Sequence, residues 1–216
     1  MYLPAPFTAT PPDDMHRLIV EHPLGTLVAN TAHGLQALHV PFLFDAARGA
    51  HGGLLAHLAR ANPFWQQVAD GGEVLVVFHG PHGYVSPNWY LSKAETHRHV
   101  PTWNYEVVHA HGLLRIRDEL RFVRGVVAGL TRVHEAGQPV PWKMGDAPAD
   151  YLDANLAQIV GLEIELTRLE GKRKLSQNRD ERDFASILQA LDDSGQAPLA
   201  DAMRRLRPQG RSPTGA

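Results

Sequence analysis

The sequence predicts an α+β protein, mostly β with α, in which an antiparallel sheet closes into a barrel and carries helices on its outside. Six or seven apolar runs of strand-like composition are joined mostly by turn-forming segments such as TAHG (31–34). Helical periodicity enters at only three or four places, and strands do not alternate regularly with helices as a parallel sheet would require. Hydrophobic residues make up 44% and charged residues 20% of 216 positions, an ordinary globular balance with material for one large domain or one domain with small appendages.

Taken in chain order, Asp13 or Asp14 can cap a short helix in which Met15, Leu18 and Ile19 share one face, ended at His22-Pro23. Residues 25–30 (GTLVAN) read as a strand paired through a hairpin with 34–44, and 53–59 as a third strand. Asn62 can cap and Pro63 can open a short helix reaching Val68. The run EVLVVFH (73–79) is the most apolar and predicts a central strand. Residues 80–99 read as the longest loop, 102–117 as a long strand, and Asp118 as the cap of a helix with Leu120, Val123, Val127 and Leu130 on its apolar face. A helix over 148–158, a strand over 159–169 turned at Glu170-Gly171, and two short helices over 180–191 and 196–206 complete the series.

Charge and composition exclude several classes. The net charge is −2, so no global positive field drives non-specific nucleic-acid binding, and any DNA contact has to be local. The absence of cysteine excludes disulfides, thiolate catalysis and Cys-held clusters. No stretch matches a signal peptide or a membrane span, which reads as a cytoplasmic protein without a membrane partner. A Walker loop, a GxGxxG after a strand and HExxH are missing too.

Thirteen histidines raise the question of a metal. His109 and His111 point to one face if 102–117 is a strand, and could share an ion with His79 or His82. The same face carries Trp103, Tyr105, Val107 and Leu113, so histidines within a half-buried surface are the simpler reading, with proton transfer as a third. No metal site is assigned, and no residue stands out as an essential acid or base.

A second constellation is more coherent. Four segments, HLARANP (57–63), YVSPNWY (84–90), PTWNY (101–105) and GKRKLSQN (171–178), each combine polar or cationic groups with the end of an expected strand. Arg60, Lys172 and Lys174 supply charge for a phosphate, and Ser86, Thr102 and Ser176 supply hydroxyls. Trp89, Trp103 and Tyr105 supply flat apolar surface, while Asn104, Gln177 and Asn178 can donate and accept at the mixed edge of a pyrimidine-like ring. Together they describe a site for a phosphorylated planar heteroaromatic ligand.

The runs HPLGTLVAN, LAHLARANP, VVFHGPHGYVSPNWY, VPTWNY, LTRVHEAGQPVPWKMGDAP and IVGLEIELTRLEGKRKLSQNR, in this order over about residues 1–195, resemble the PaiB family of FMN-binding negative transcriptional regulators. The resemblance implies an FMN-binding split β-barrel acting as a homodimer, with FMN between subunits. It implies that His57, Ala59, Arg60 and Asn62 lie near the phosphate or ribityl chain and that Thr102, Trp103 and Asn104 face the flavin. Lys174, Leu175, Ser176, Gln177 and Asn178 would close the site, a role open to the partner subunit. Residues 1–179 are then the barrel domain, 180–206 a C-terminal helical extension and 207–216 a flexible tail.

The family name implies repression, and the segment nearest to a DNA-binding element is the last helix pair with Arg204, Arg205, Arg207 and Arg211. A helix packed on the barrel with a solvated basic end is the plainer reading. Two other functions stay open: a flavin-dependent oxidoreductase acting on a small molecule, and haem binding or degradation through an exposed imidazole such as His82 or His97.

Overall fold

The computed structural model describes residues 1–9 and 12–207. Of the tail expected over 207–216, all but Arg207 lies outside the described residues. The strands are β1 (Thr8–Ala9), β2 (Leu24–Thr31), β3 (Gly34–Pro41), β4 (Leu43–Asp45), β5 (Gly53–Ala59), β6 (Glu73–Val85), β7 (Thr102–Arg117) and β8 (Ile159–Lys174). The helices are α1 (Pro12–Glu21), α2 (Phe64–Gln67), α3 (Lys93–Thr96), α4 (Leu120–Glu135), α5 (Ala149–Leu156), α6 (Glu181–Asp193) and α7 (Ala197–Leu206). All eight strands join one antiparallel sheet in the order β3-β2-β6-β7-β8-β5-β4, with β1 on β8. The expected α+β class is therefore observed.

The chain forms two compact units: one of Met1–Pro11, His79–Val108 and Glu170–Ala216, the other of Pro12–Phe78 and His109–Leu169. In the second unit β2 and β3 form the expected hairpin, closing at Thr31 opposite Gly34, whose φ of +95° suits a residue without Cβ. Leu54, Ala56 and Leu58 turn one face of β5 into the core, and Leu55 turns the other way against Val126 and Leu130 of α4. Gly112 on β7 lies so close to β8 that a Cβ would stand 2.4 Å from the carbonyl oxygen of Glu165.

In the first unit, α6 presents Phe184, Ile187 and Leu191 at helical spacing, and α7 adds Leu199, Ala200, Ala202 and Met203. Both stripes pack with Val85, Tyr90 and Leu175. Burying each of the larger side chains contributes about 1.5–3 kcal/mol, so the helix pair is part of this unit's core. Asp180 caps α6 by accepting from the backbone N–H of Asp183 at 2.8 Å, and Gly195 (φ +72°) lets the chain turn into α7.

Several sequence expectations need correction. The loop expected from residue 80 starts later, because β6 continues to Val85; Gly80 and Gly83 occupy its buried side, where at Gly83 a Cβ would meet the Gln196 amide oxygen at 2.4 Å. No turn occurs at Glu170-Gly171, since Gly171 is held in register opposite Ala9 of β1 and β8 runs on to Lys174. Asp118 does not cap α4: the cap position is Glu119, without a side-chain bond, and the Asp118 carboxylate is taken by Arg60. Asp13 and Asp14 lie inside the first turn of α1, where their charge suits the helix dipole.

Candidate functional site

Within the first unit the start of β7 and the end of β8 enclose a recess of about 60 Å³, lined by Phe7, Tyr90, Thr102, Asn104, Lys174, Ser176, Asn178 and Arg179. Such a volume suits a few waters or one tetrahedral oxyanion, not a tricyclic ring. Two of the lining side chains are cationic and none is acidic. Lys174 Nζ donates to the Thr102 hydroxyl and, at 2.7 Å, to the Trp103 carbonyl. Desolvation, then the charges of Lys172 and Arg179, hold the Lys174 ammonium below its usual pKa, as expected where like charges converge without a counter-ion.

The floor is rigid. Asn104, 1% exposed, donates to the Ser176 hydroxyl at 2.9 Å and accepts from it at 3.2 Å. Ser176 sits in the left-handed region at φ +62°, a strain of about 1–3 kcal/mol that this reciprocal pair helps to hold. Tyr90, 2% exposed, has Arg179 4.8 Å from its ring centroid and stacks on His99 with an interplanar angle of 6°. The buried Tyr90 hydroxyl has no hydrogen-bond partner among the described residues. The two cations of the lining are chemistry that a bound phosphate would complement.

Beyond the recess the strand ends expose a row of rings. Trp103 is 49% exposed, stacks on His82 with centroids 5.9 Å apart and meets Tyr84 edge-on at 6.5 Å. Lys172 Nζ lies 5.5 Å from the Tyr2 ring and 5.6 Å from the Tyr105 ring, and donates to the Tyr2 carbonyl at 3.0 Å.

The structure thus brings together Thr102, Asn104, Lys174, Ser176 and Asn178, with Trp103 next in the chain. Other candidates have structural work in this unit. Leu175 is core, and Gln177 ties the strand end by accepting from Leu175 N–H at 2.8 Å and donating to the Pro6 carbonyl at 2.9 Å. Ser86 caps a single 3₁₀ turn at Asn88, and Trp89 packs against the α6–α7 core. Phe7, Tyr90 and Arg179 were not singled out from the sequence; Tyr90 and Arg179 stood inside the quoted motifs, but only the fold shows that they converge.

His57, Ala59, Arg60 and Asn62 belong to the second unit. His57 is half-buried on β5, and burial lowers its pKa. Ala59 is exposed at the strand end, and Asn62 accepts from the Phe64 N–H at 3.0 Å just ahead of α2, whose cap position is Pro63 and not Asn62 as the sequence predicts. Arg60 pairs with both Asp118 oxygens and donates to the carbonyls of Ala157 at 2.8 Å and Ile159 at 3.1 Å. His109 and His111, also here, have ring centroids 6.5 Å apart.

The arginines closing α7 are engaged within the first unit. Arg204 pairs with Asp192 and Asp201, and Arg205 lies 3.6 Å from Glu106, which accepts from Arg173 at 2.6 Å. Arg207 donates to the carbonyls of Gln177 at 2.6 Å and Arg179 at 2.7 Å, with Phe184 under its guanidinium. Arg211 lies outside the described residues. His82 and His97 are exposed, His97 in the left-handed conformation ending α3.

The fold is that of the split-barrel class, and the family match makes the chain a flavoprotein. Residues 1–168 match the family model described as "Putative FMN-binding domain". The chain is 31% identical over 208 residues to the Bacillus subtilis protease synthase and sporulation protein PAI 2, covering 95% of this chain and 96% of that protein. An uncharacterised Emericella nidulans protein is 30% identical, with 90% and 92% of the two chains covered. The chain belongs to this FMN-binding family, whose PaiB members it resembles, and FMN is its cofactor. Among solved structures, the FAD and haem binding protein of Mycobacterium smegmatis shares the fold at TM-score 0.57 and 16% identity, over 83% of this chain and 79% of that one. The flavocytochrome Anf3 of Azotobacter vinelandii does so at 0.52 and 12%, over 82% and 74%. No helix among the described residues is long and apolar enough to cross a membrane.

Proposed function

We propose that the chain is a regulatory flavoprotein of the PaiB kind, a homodimer whose FMN phosphate enters the recess of Lys174, Arg179 and Thr102. The observation that carries this reading is the convergence of two cations and two hydroxyls in a lining without a carboxylate. Bound FMN supplies the redox chemistry. The residues bind and orient it: Lys174 and Arg179 neutralise the phosphate, the Thr102 hydroxyl stands beside it, and Trp103 offers a flat surface for the ring. The exposed Trp103, Tyr84 and Val100 give this unit an apolar face that a second copy can cover. Arg204, Arg205 and Arg207 already serve the fold, so repression would not run through the α7 arginines.

A second reading, a flavin-dependent oxidoreductase, is favoured by a proton-handling chain in the same unit. Asp183 accepts the single Ser92 hydroxyl hydrogen at 2.5 Å, so the contact of 2.8 Å between His99 Nε2 and Ser92 Oγ is donated by the histidine. His99 Nδ1 is then left without a partner beside Tyr90.

FMN and riboflavin titrations of the wild type, Lys174→Ala and Arg60→Ala test the phosphate assignment. Lys174→Ala weakens FMN at least tenfold more than riboflavin, whereas Arg60→Ala leaves the ratio of the two affinities unchanged. Equal weakening of both ligands by Lys174→Ala would place the phosphate elsewhere, and a change of ratio in Arg60→Ala would return Arg60 to it. Sedimentation of the FMN-loaded chain at twice the monomer mass is the result expected for the dimer; monomer mass at micromolar concentration contradicts it.

A further inference from the structure

The second unit contains a larger cleft that FMN binding in the first does not use. It measures about 540 Å³ and is lined by Arg48, Leu55, Arg117, Glu119, Arg121, Phe122, Gly125 and Val126. We propose that this cleft is a second ligand site, for a small organic anion with an apolar or aromatic body.

Size and polarity fit that class: 300–1,000 Å³, a largely apolar wall and a few convergent polar groups describe small-molecule sites. Leu55 and Val126 form a buried floor, and Phe122 lies 5.0 Å from the guanidinium carbon of Arg117. The rim carries three arginines against one carboxylate, Glu119 at the cap position of α4. Arg48 and Arg117 share Glu163, but Arg117 Nε reaches Glu119 and Glu163 only at 3.4 and 3.5 Å and makes no hydrogen bond although the atom is buried. Arg121 makes no ion pair or hydrogen bond among the described residues. The cleft also meets the start of α4, which has neither a side-chain cap nor an acidic residue in its first turn, so the helix dipole adds to the attraction for an anion.

Gly125 supplies an independent argument. A glycine inside a helix is less favourable than alanine, because it gives up more backbone freedom on folding. One turn later the cost has a packing reason, because a Cβ at Gly129 would stand 2.5 Å from the Leu43 side chain. At Gly125 a Cβ would meet nothing within 4 Å. Packing does not require the glycine, and its effect is to keep the cleft wall open.

The test uses the full chain loaded with FMN and phenylacetate as probe, followed by calorimetry and by amide shifts in NMR. Phenylacetate saturates in the low millimolar range or below, while acetate (charge without body) and benzyl alcohol (body without charge) bind at least tenfold more weakly. Gly125→Leu abolishes binding by filling the cleft, and Arg121→Gln weakens it at least fivefold. Gly125→Ala raises the melting temperature, which shows that helix stability and ligand loss are separable. FMN affinity stays unchanged in all three variants, so failure here is distinct from failure of the FMN assignment. Absence of saturable phenylacetate binding, or equal binding by Gly125→Leu, overturns the proposal.

Discussion

Asp183 accepts both the backbone N–H of Ser92, at 2.9 Å, and its hydroxyl, at 2.5 Å, so one buried carboxylate fastens the 86–99 segment to the start of α6. Desolvation pushes the carboxyl pKa up, but the two bonds from Ser92 and the charges of His99 and Arg182 together hold it below the usual value. A depressed carboxyl stabilises the fold fully above its unfolded pKa of about 3.9 and loses that contribution as pH falls through the folded value. Asp183→Asn therefore costs about 1.5–3 kcal/mol at pH 7. It also flattens the acid limb of stability below about pH 4, which denaturant midpoints at a series of pH values will read. An unchanged acid limb would assign the acid sensitivity to other carboxylates.

Lys174 gives the complementary case for ligand binding. Its pKa is lowered in the free protein by desolvation, Lys172 and Arg179. A dianionic phosphate favours the charged amine and raises that pKa, so FMN binding takes up protons in the window below the ordinary lysine value of about 10.4. FMN affinity should fall as pH rises through this window, and Lys174→Met should remove the slope while riboflavin binding shows none in either protein. Fluorescence titrations at several pH values decide it.

The basic end of α7 predicts a stability defect instead of a DNA-binding one. Arg207→Ala removes two charge-assisted bonds to carbonyl groups and a cation–π contact. The loss is about 1.5–3 kcal/mol, or a fall of roughly 3–12 °C in Tm for a chain of this size. Calorimetry checks the fall, and DNA retention on a filter should be the same for wild type and variant. Deleting the last helix would be a poor test, since Leu199 and Met203 leave the core with it.

Gly112→Ala is expected to be among the most damaging single changes. Its Cβ would overlap the Glu165 carbonyl at 2.4 Å and the Ile164 side chain at 2.6 Å, and a backbone neighbour in a sheet cannot step aside. Overpacking usually costs about 1–3 kcal/mol; here the upper end or beyond is expected, measured as the denaturant midpoint.

Local pattern carried most of the fold. The β2–β3 hairpin, the bounds of β7 and the apolar stripe of α1 follow from turn chemistry and side-chain period. What periodicity could not reach was decided by partners distant in sequence. Gly83 looks like a loop residue until the crowding against Gln196 is known, and Gly171 looks like a turn until β1 pairs with it. The site divides in the same way. Thr102, Asn104, Lys174 and Ser176 were legible as polar groups at strand ends, whereas Tyr90 reads as an ordinary aromatic until its hydroxyl is seen to be buried without a partner.

The chain enters the first unit in three separate stretches and the second in two. Neither the recess beside Lys174 nor the arginine-rimmed cleft can therefore be excised, shuffled or grafted as a contiguous cassette. A change to either surface must therefore come by point substitution within the whole chain.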